Sequence, residues 1–163
     1  MKRECPKCHT LNNEDANFCS YCGNDLSTVG NVRKIKTKYF ENSSFENVKN
    51  WLNKKRNIEI TEVKSNIFCQ GASGLFLSKH NWIINQMEIT YYCDNPNHVQ
   101  YDMVWGFGYD ALFNIHDGMI SAENDAHQKA SNKKIVYEYS RKAPCPNYNG
   151  YKDNCCLLIV ESR

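Results

Sequence analysis

Four of the nine cysteines in this 163-residue chain are spaced to hold a metal ion. Cys5-Pro6-Lys7-Cys8 is followed, after a short segment, by Cys19-Ser20-Tyr21-Cys22. Each Cys-x-x-Cys pair grips one edge of a tetrahedral ion, and the segment between the pairs has only to turn back on itself. The spacing therefore predicts one zinc ion in a shell of four thiolates. A closed shell leaves no position for water or substrate, so the expected zinc is structural. Residues 1–26 offer Leu11, Phe18, Tyr21 and Leu26 as their sizeable apolar side chains, too few to offset the entropy of ordering the segment. Metal must supply the folding free energy, about 10 kcal/mol apparent for structural zinc in small peptides. Gly23 suits the tight turn after the second pair, where φ becomes positive.

Cys5-Pro6-Lys7-Cys8, Asn13, the run Ala16-Asn17-Phe18-Cys19-Ser20-Tyr21-Cys22-Gly23 and Leu26 closely resemble the short zinc-ribbon module that many bacterial proteins carry at the N-terminus. The likeness covers residues 1–26 and departs from the family pattern at His9, where Gly is usual. A His can adopt the left-handed backbone at some cost; the sharper alternative makes it a replacement ligand. The resemblance implies zinc binding and a small contact surface beside very different partner domains. It says little about overall function.

The remaining cysteines, Cys69, Cys93, Cys145, Cys155 and Cys156, contain no Cys-x-x-Cys pair. Cys93 and His98, flanking one turn, would form a second zinc site with Cys145 and Cys155 if the late loop folds over the hairpin end. Against it, unpaired cysteines are ordinarily small buried hydrophobes, and adjacent Cys155 and Cys156 point to opposite faces of a strand. A nucleophilic pair drawn from Cys69 or Cys93 with His80, His98, His116 or His127 has no local signature. Gly71, Gly74, Gly106 and Gly108 make no phosphate loop, since Gly106-Phe107-Gly108 sits inside a strand pattern. They mark a bulge, or a place where a ring or another backbone packs closely.

The formal net charge of +2 conceals a basic stretch, residues 33–56, that carries +6. Within it Arg33, Lys34, Lys36 and Lys38 read as a solvated tether, or alternatively as a contact to nucleic acid or membrane phosphate. Tyr101, Trp105 and Tyr109 would stack bases or line a pocket with Asp102, His98 or Tyr92. The competing reading makes these rings the core beneath two helices, because the opposite face of their strand is polar. The later part of the chain is acidic and lacks the basic stripe that neutralises phosphates.

These residues need a scaffold, and the sequence outlines one. Residues 27–38 read as a flexible basic linker and 39–163 as an α+β domain. Ser43 and Glu46 form a capping box for a helix whose stripe is Phe45, Val48 and Leu52, with Trp51 beside it; Asn57 takes the left-handed position past its end. Strands are expected at Ile58–Val63, Leu75–Leu77, Trp82–Cys93, Val99–Asp110, Ile135–Tyr139 and Cys156–Val160. Ile83, Met87, Ile89 and Tyr91 alternate onto one face of the third. Val99, Tyr101, Met103, Trp105, Phe107 and Tyr109 do so on the fourth, in a sheet with one covered face. Ala122, Ala126 and Ala130, four apart, mark a second helix over Ile120–Ser131. The fold class is α+β, a zinc ribbon tethered to a mostly antiparallel sheet domain with about two packed helices.

An 18-residue apolar run is absent, and Lys2, Arg3 and Glu4 lead straight into the first cysteine pair, so neither a membrane span nor secretion is expected. Thiolate ligands fit a reducing compartment, the cytoplasm. The expected function is a zinc-binding, non-enzymatic protein whose ribbon docks another protein beside a binding or regulatory domain. The alternatives are a nucleic-acid-binding factor using the ribbon and Arg33–Lys38, and an enzyme or small-ligand binder with a pocket near Trp105.

Overall fold

The computed structural model describes residues 2–73, 79–93, 95, 99–110, 117–146 and 150–162. Among these, the chain runs β1 (Lys2–Glu4), β2 (Leu11–Asn13), β3 (Asn31–Val32), β4 (Ile35–Ser43), α1 (Phe45–Lys54), β5 (Glu59–Ser73), β6 (Lys79–Tyr92), β7 (Tyr101–Asp110), α2 (Gly118–Ala130), β8 (Ile135–Pro144) and β9 (Lys152–Glu161). Three antiparallel sheets result, in the orders β2-β1-β3, β4-β6-β5 and β7-β9-β8. The fold class is α+β, as the sequence implies.

The two larger sheets share one core. Ile67, Ile84, Met87 and Ile89 from one meet Met103, Leu157 and Ile159 from the other, all fully or almost fully buried. The sheets meet along β5 and β8, where Ser65 Oγ and Tyr137 Oη lie 2.6 Å apart and Arg141 donates to Asn66. α1 packs on β7 and β4, the opposite edges. Its buried stripe is Phe45, Val48 and Leu52, as the periodicity predicts. The N-cap is one residue later than expected: Ser44 Oγ accepts from the Asn47 N–H, while Ser43 still belongs to β4. Asn57 has φ 58°.

The basic linker is the main correction. Asn31–Val32 pairs with β1, and Ile35–Ser43 forms nine residues of edge strand against β6. Between them Arg33 reaches Glu59 at 2.7 Å and lies 4.0 Å over the Tyr92 ring, and the Lys34 carbonyl accepts from the Cys93 N–H. Lys36 and Lys38 register against Tyr91 and Ile89, so their side chains start from the core-facing side of an edge strand. Charges placed there block pairing with a further strand. The stretch resembles a tether in sequence because an edge strand needs few apolar residues.

β7 lies in a sheet covered on both faces, not one. Its odd positions join the shared core; beneath its even positions runs α2. Gly118, Ala122, Ala126 and Ala130 form the buried stripe of that helix. A Cβ on Gly106 would stand 2.0 Å from the Ala122 carbonyl oxygen, and one on Gly108 2.0 Å from that of Gly118. The glycines exist so that helix backbone and strand backbone touch. β9, central between β7 and β8, is consequently buried from Asp153 to Val160.

Two further expectations change. β5 continues through Ser73, ten residues past its expected end at Val63, with Gly71 inside it at a register irregularity. In β6 another irregularity, opposite Asn66 and Ile67, shifts the buried phase: Trp82 and Ile84 face the core, and Ile83 does not share the face of Met87. The expected strand at 75–77 lies outside the described residues, as do His98 and His116.

Candidate functional site

β1, β2 and β3 hold two sharp turns side by side. In the first, the His9 N–H donates to the Cys5 carbonyl at 2.9 Å; in the second, the Gly23 N–H donates to Cys19 at 2.9 Å. The residue after each pair is left-handed, His9 at φ 58° and Gly23 at φ 68°. The turns bring together the four cysteines singled out in the sequence. All four Sγ atoms lie within 4.8 Å of one another, with Cys5–Cys22 at 3.6 Å and Cys8–Cys19 at 3.5 Å. Bonds of about 2.3 Å to a tetrahedral zinc require sulfur–sulfur edges of about 3.8 Å, so these residues fit that ion.

Asn12, buried between the turns, locks them together. Its Oδ1 accepts from the Ser20 N–H and hydroxyl at 2.8 and 2.9 Å, and its amide donates to the Thr10 carbonyl. His9 is no ligand: its Nδ1 meets Glu4 Oε1 at 2.8 Å on the exposed side. The sulfurs show why a cation belongs among them. The Thr10 hydroxyl, 3.3 Å away, does most to hold the Cys8 thiol below its ordinary value. Burial raises Cys19, but N–H groups of Cys22 and Tyr21 outweigh it and bring it to about 6. For Cys22 the Asn24 N–H favours the thiolate, yet burial and the three neighbouring sulfurs push it up to about 12. Without a cation one sulfur ionises readily and another resists, because four negative charges repel at this separation. A divalent ion removes the conflict.

Residues 5–26 match the zinc-ribbon domain family. They are a zinc ribbon. The likeness ends there, since no curated protein and no solved structure matches the chain. The ribbon has its own small core, Cys5, Cys19 and Leu26, distinct from the core of the larger domain. Outward it exposes Leu11, Phe18 and Tyr21, the last two 64% and 81% accessible.

In the larger domain the described members of the expected second zinc site are dispersed. Cys93 stands beside Lys34, at the end of the sheets marked by Tyr92, Glu59 and Tyr101. Cys145 packs on Tyr109 and Tyr151 at the opposite end, and Cys155 is buried opposite Phe107. The second zinc site built on Cys93, His98, Cys145 and Cys155 therefore does not assemble from its described members. The ribbon cysteines form the one metal-competent cluster among the described residues. Trp105 packs edge-on to Phe45 at 5.3 Å, with Lys49 5.5 Å from its ring, a core role and not a pocket wall. Asp102 is engaged by Lys49 and Lys133, and Tyr92 by Arg33.

A concave site does exist, two residues further along β7. A cavity of about 850 Å³ lies between Phe107, Tyr109 and α2, and His80 reaches it from β6. In the sequence His80 stands out only as one possible member of a Cys-His pair. Its real partner is Asp153, fully buried, whose Oδ1 lies 2.8 Å from His80 Nδ1. Cys69 donates its thiol to the other oxygen of Asp153 at 3.5 Å. Burial foremost, then the carboxylate, push that thiol up to about 12, so it is no nucleophile near neutral pH. Asp153 and Asn154 stand just before the apolar run of β9 and carry no signal in the sequence, because their burial is set by the sheets that close over them.

Proposed function

We propose that the chain is a non-enzymatic adaptor in which one zinc ion fixes the ribbon as a docking surface for another protein, beside an α+β binding domain. Phe18 carries the reading. It flanks Cys19, exposed on a scaffold too small to bury it, and Tyr21 stands likewise between Cys19 and Cys22. Aromatic side chains held rigidly at low entropic cost are what protein interfaces use as anchors. Four closed thiolates serve shape and not reaction chemistry. The nucleic-acid alternative is less well supported, because Arg33 is committed to Glu59 and Tyr92, and Lys36 and Lys38 guard an edge strand. None of the nine cysteines is in a disulfide, which suits the reducing cytoplasm. None of the described helices is long and apolar enough to cross a membrane.

Affinity capture with the full chain tests this, comparing wild type, F18A/Y21A and C5S/C8S at low and high salt. A protein partner retained by wild type at both salts and lost from both variants is the expected result. Retention by F18A/Y21A, or recovery of nucleic acid with a steep salt dependence, overturns the proposal.

A further inference from the structure

His80 and Asp153 form a dyad whose cost has no structural return. A carboxylate removed from water is expensive unless fully paired, and buried ion pairs are a poor source of stability. Asp153 is completely buried, and among the described residues its side chain meets the His80 ring and the Cys69 thiol. In the tautomer with the imidazole proton on Nδ1, that nitrogen donates to Asp153 Oδ1 and Nε2 is left as an acceptor. The ring is held in place by stacking on Phe107, with centroids 5.0 Å apart. Nε2 has no protein partner among the described residues, and His80 lines the cavity. In this tautomer the dyad presents an oriented hydrogen-bond acceptor to an open site.

The rest of the described lining includes the apolar Ile120 and the neutral polar side chains of Ser121, Asn124 and Gln128. Asp117 and Asp125 contribute carboxylates, and Phe107 and Tyr109 contribute ring surface. The described lining includes neither Lys nor Arg. Lys129, which pairs with Asp125 at 2.7 Å, also donates to the Trp105 carbonyl and is not part of the wall. Acceptors, negative charge and aromatic faces repel phosphates and carboxylates and attract N–H cations.

We propose that this cavity binds a small organic cation, an amine or guanidine, one of whose N–H groups donates to His80 Nε2. Asp153 is a positioning residue that fixes the imidazole tautomer. The site is independent of zinc and of the ribbon's docking role.

Agmatine, which carries both an ammonium and a guanidinium group, is the probe, titrated into the zinc-loaded full chain and followed by NMR. Saturable shifts of the His80 ring and of Phe107 and Tyr109 are expected, with a Kd at or below about 1 mM. H80Q and D117N/D125N should each weaken binding about tenfold, the loss of one good polar contact. In D153N the ¹⁵N shifts of His80 should show the proton leaving Nδ1. If that variant fails to fold, H80Q, altered at the cavity wall, still decides the matter. Absence of shifts at about 10 mM agmatine, equal binding by H80Q, or saturable binding of inorganic phosphate at the same residues overturns the proposal.

Discussion

Gly106 on β7 lies directly against Ala122 on α2: a methyl group at Gly106 would fall 2.0 Å from the Ala122 carbonyl oxygen and 2.6 Å from the Ala126 nitrogen. Backbone atoms cannot yield as a flexible side chain can, so Gly106→Ala must push the helix off the sheet. The expected loss is about 3 kcal/mol, at the upper end for overpacking. Gly30→Ala, where nothing stands within 4 Å, should change stability by less than about 0.5 kcal/mol. Urea denaturation of the two variants checks both values.

Zinc removal should unfold the ribbon and spare the rest. The ribbon core of Cys5, Cys19 and Leu26 is separate from the cluster that joins the two larger sheets. Amide exchange after chelation should therefore show lost protection at residues 2–32 and unchanged protection in β6, β7 and β9. Loss of protection in β9 would mean that the two cores are coupled.

His9 and Gly23 occupy equivalent positions in the two turns, both with positive φ. Gly23→Ala should weaken zinc retention against a competing chelator by about 1 kcal/mol, the cost of a Cβ in left-handed backbone. His9→Gly relieves that cost and forfeits an exposed contact to Glu4, so retention should stay equal or improve by a few tenths of a kcal/mol.

Alkaline pH should destabilise the larger domain. Burial first of all raises Cys69 from its ordinary 9.0 to about 12 and Cys156 to about 11. In the unfolded chain these thiols lose their protons near 9, so above that pH the native state binds more protons than the unfolded one, and stability falls as pH rises. Below pH 9 the two thiols leave stability independent of pH. Urea midpoints from pH 7 to 11 test the sign, and alkylation at pH 8 should spare Cys69, Cys155 and Cys156 until unfolding.

Features that depend on neighbours close along the chain are legible from the residues alone. The four zinc cysteines are fixed by spacing within one short segment, the α1 stripe by the helical period, and the Ala122, Ala126 and Ala130 stripe by the same period. The alternation of β7 is legible for the same reason.

Features that depend on partners far apart in the chain emerge only with the packed sheets. β4 reads as a charged tether until β6 supplies its register. The polar face of β7 reads as solvated until α2 covers its glycines. His80 and Asp153, 73 positions apart, meet only because β5, β6 and β9 bring their ends to one place. Spacing carries local geometry, whereas contact across sheets is set by register and by which faces are buried together.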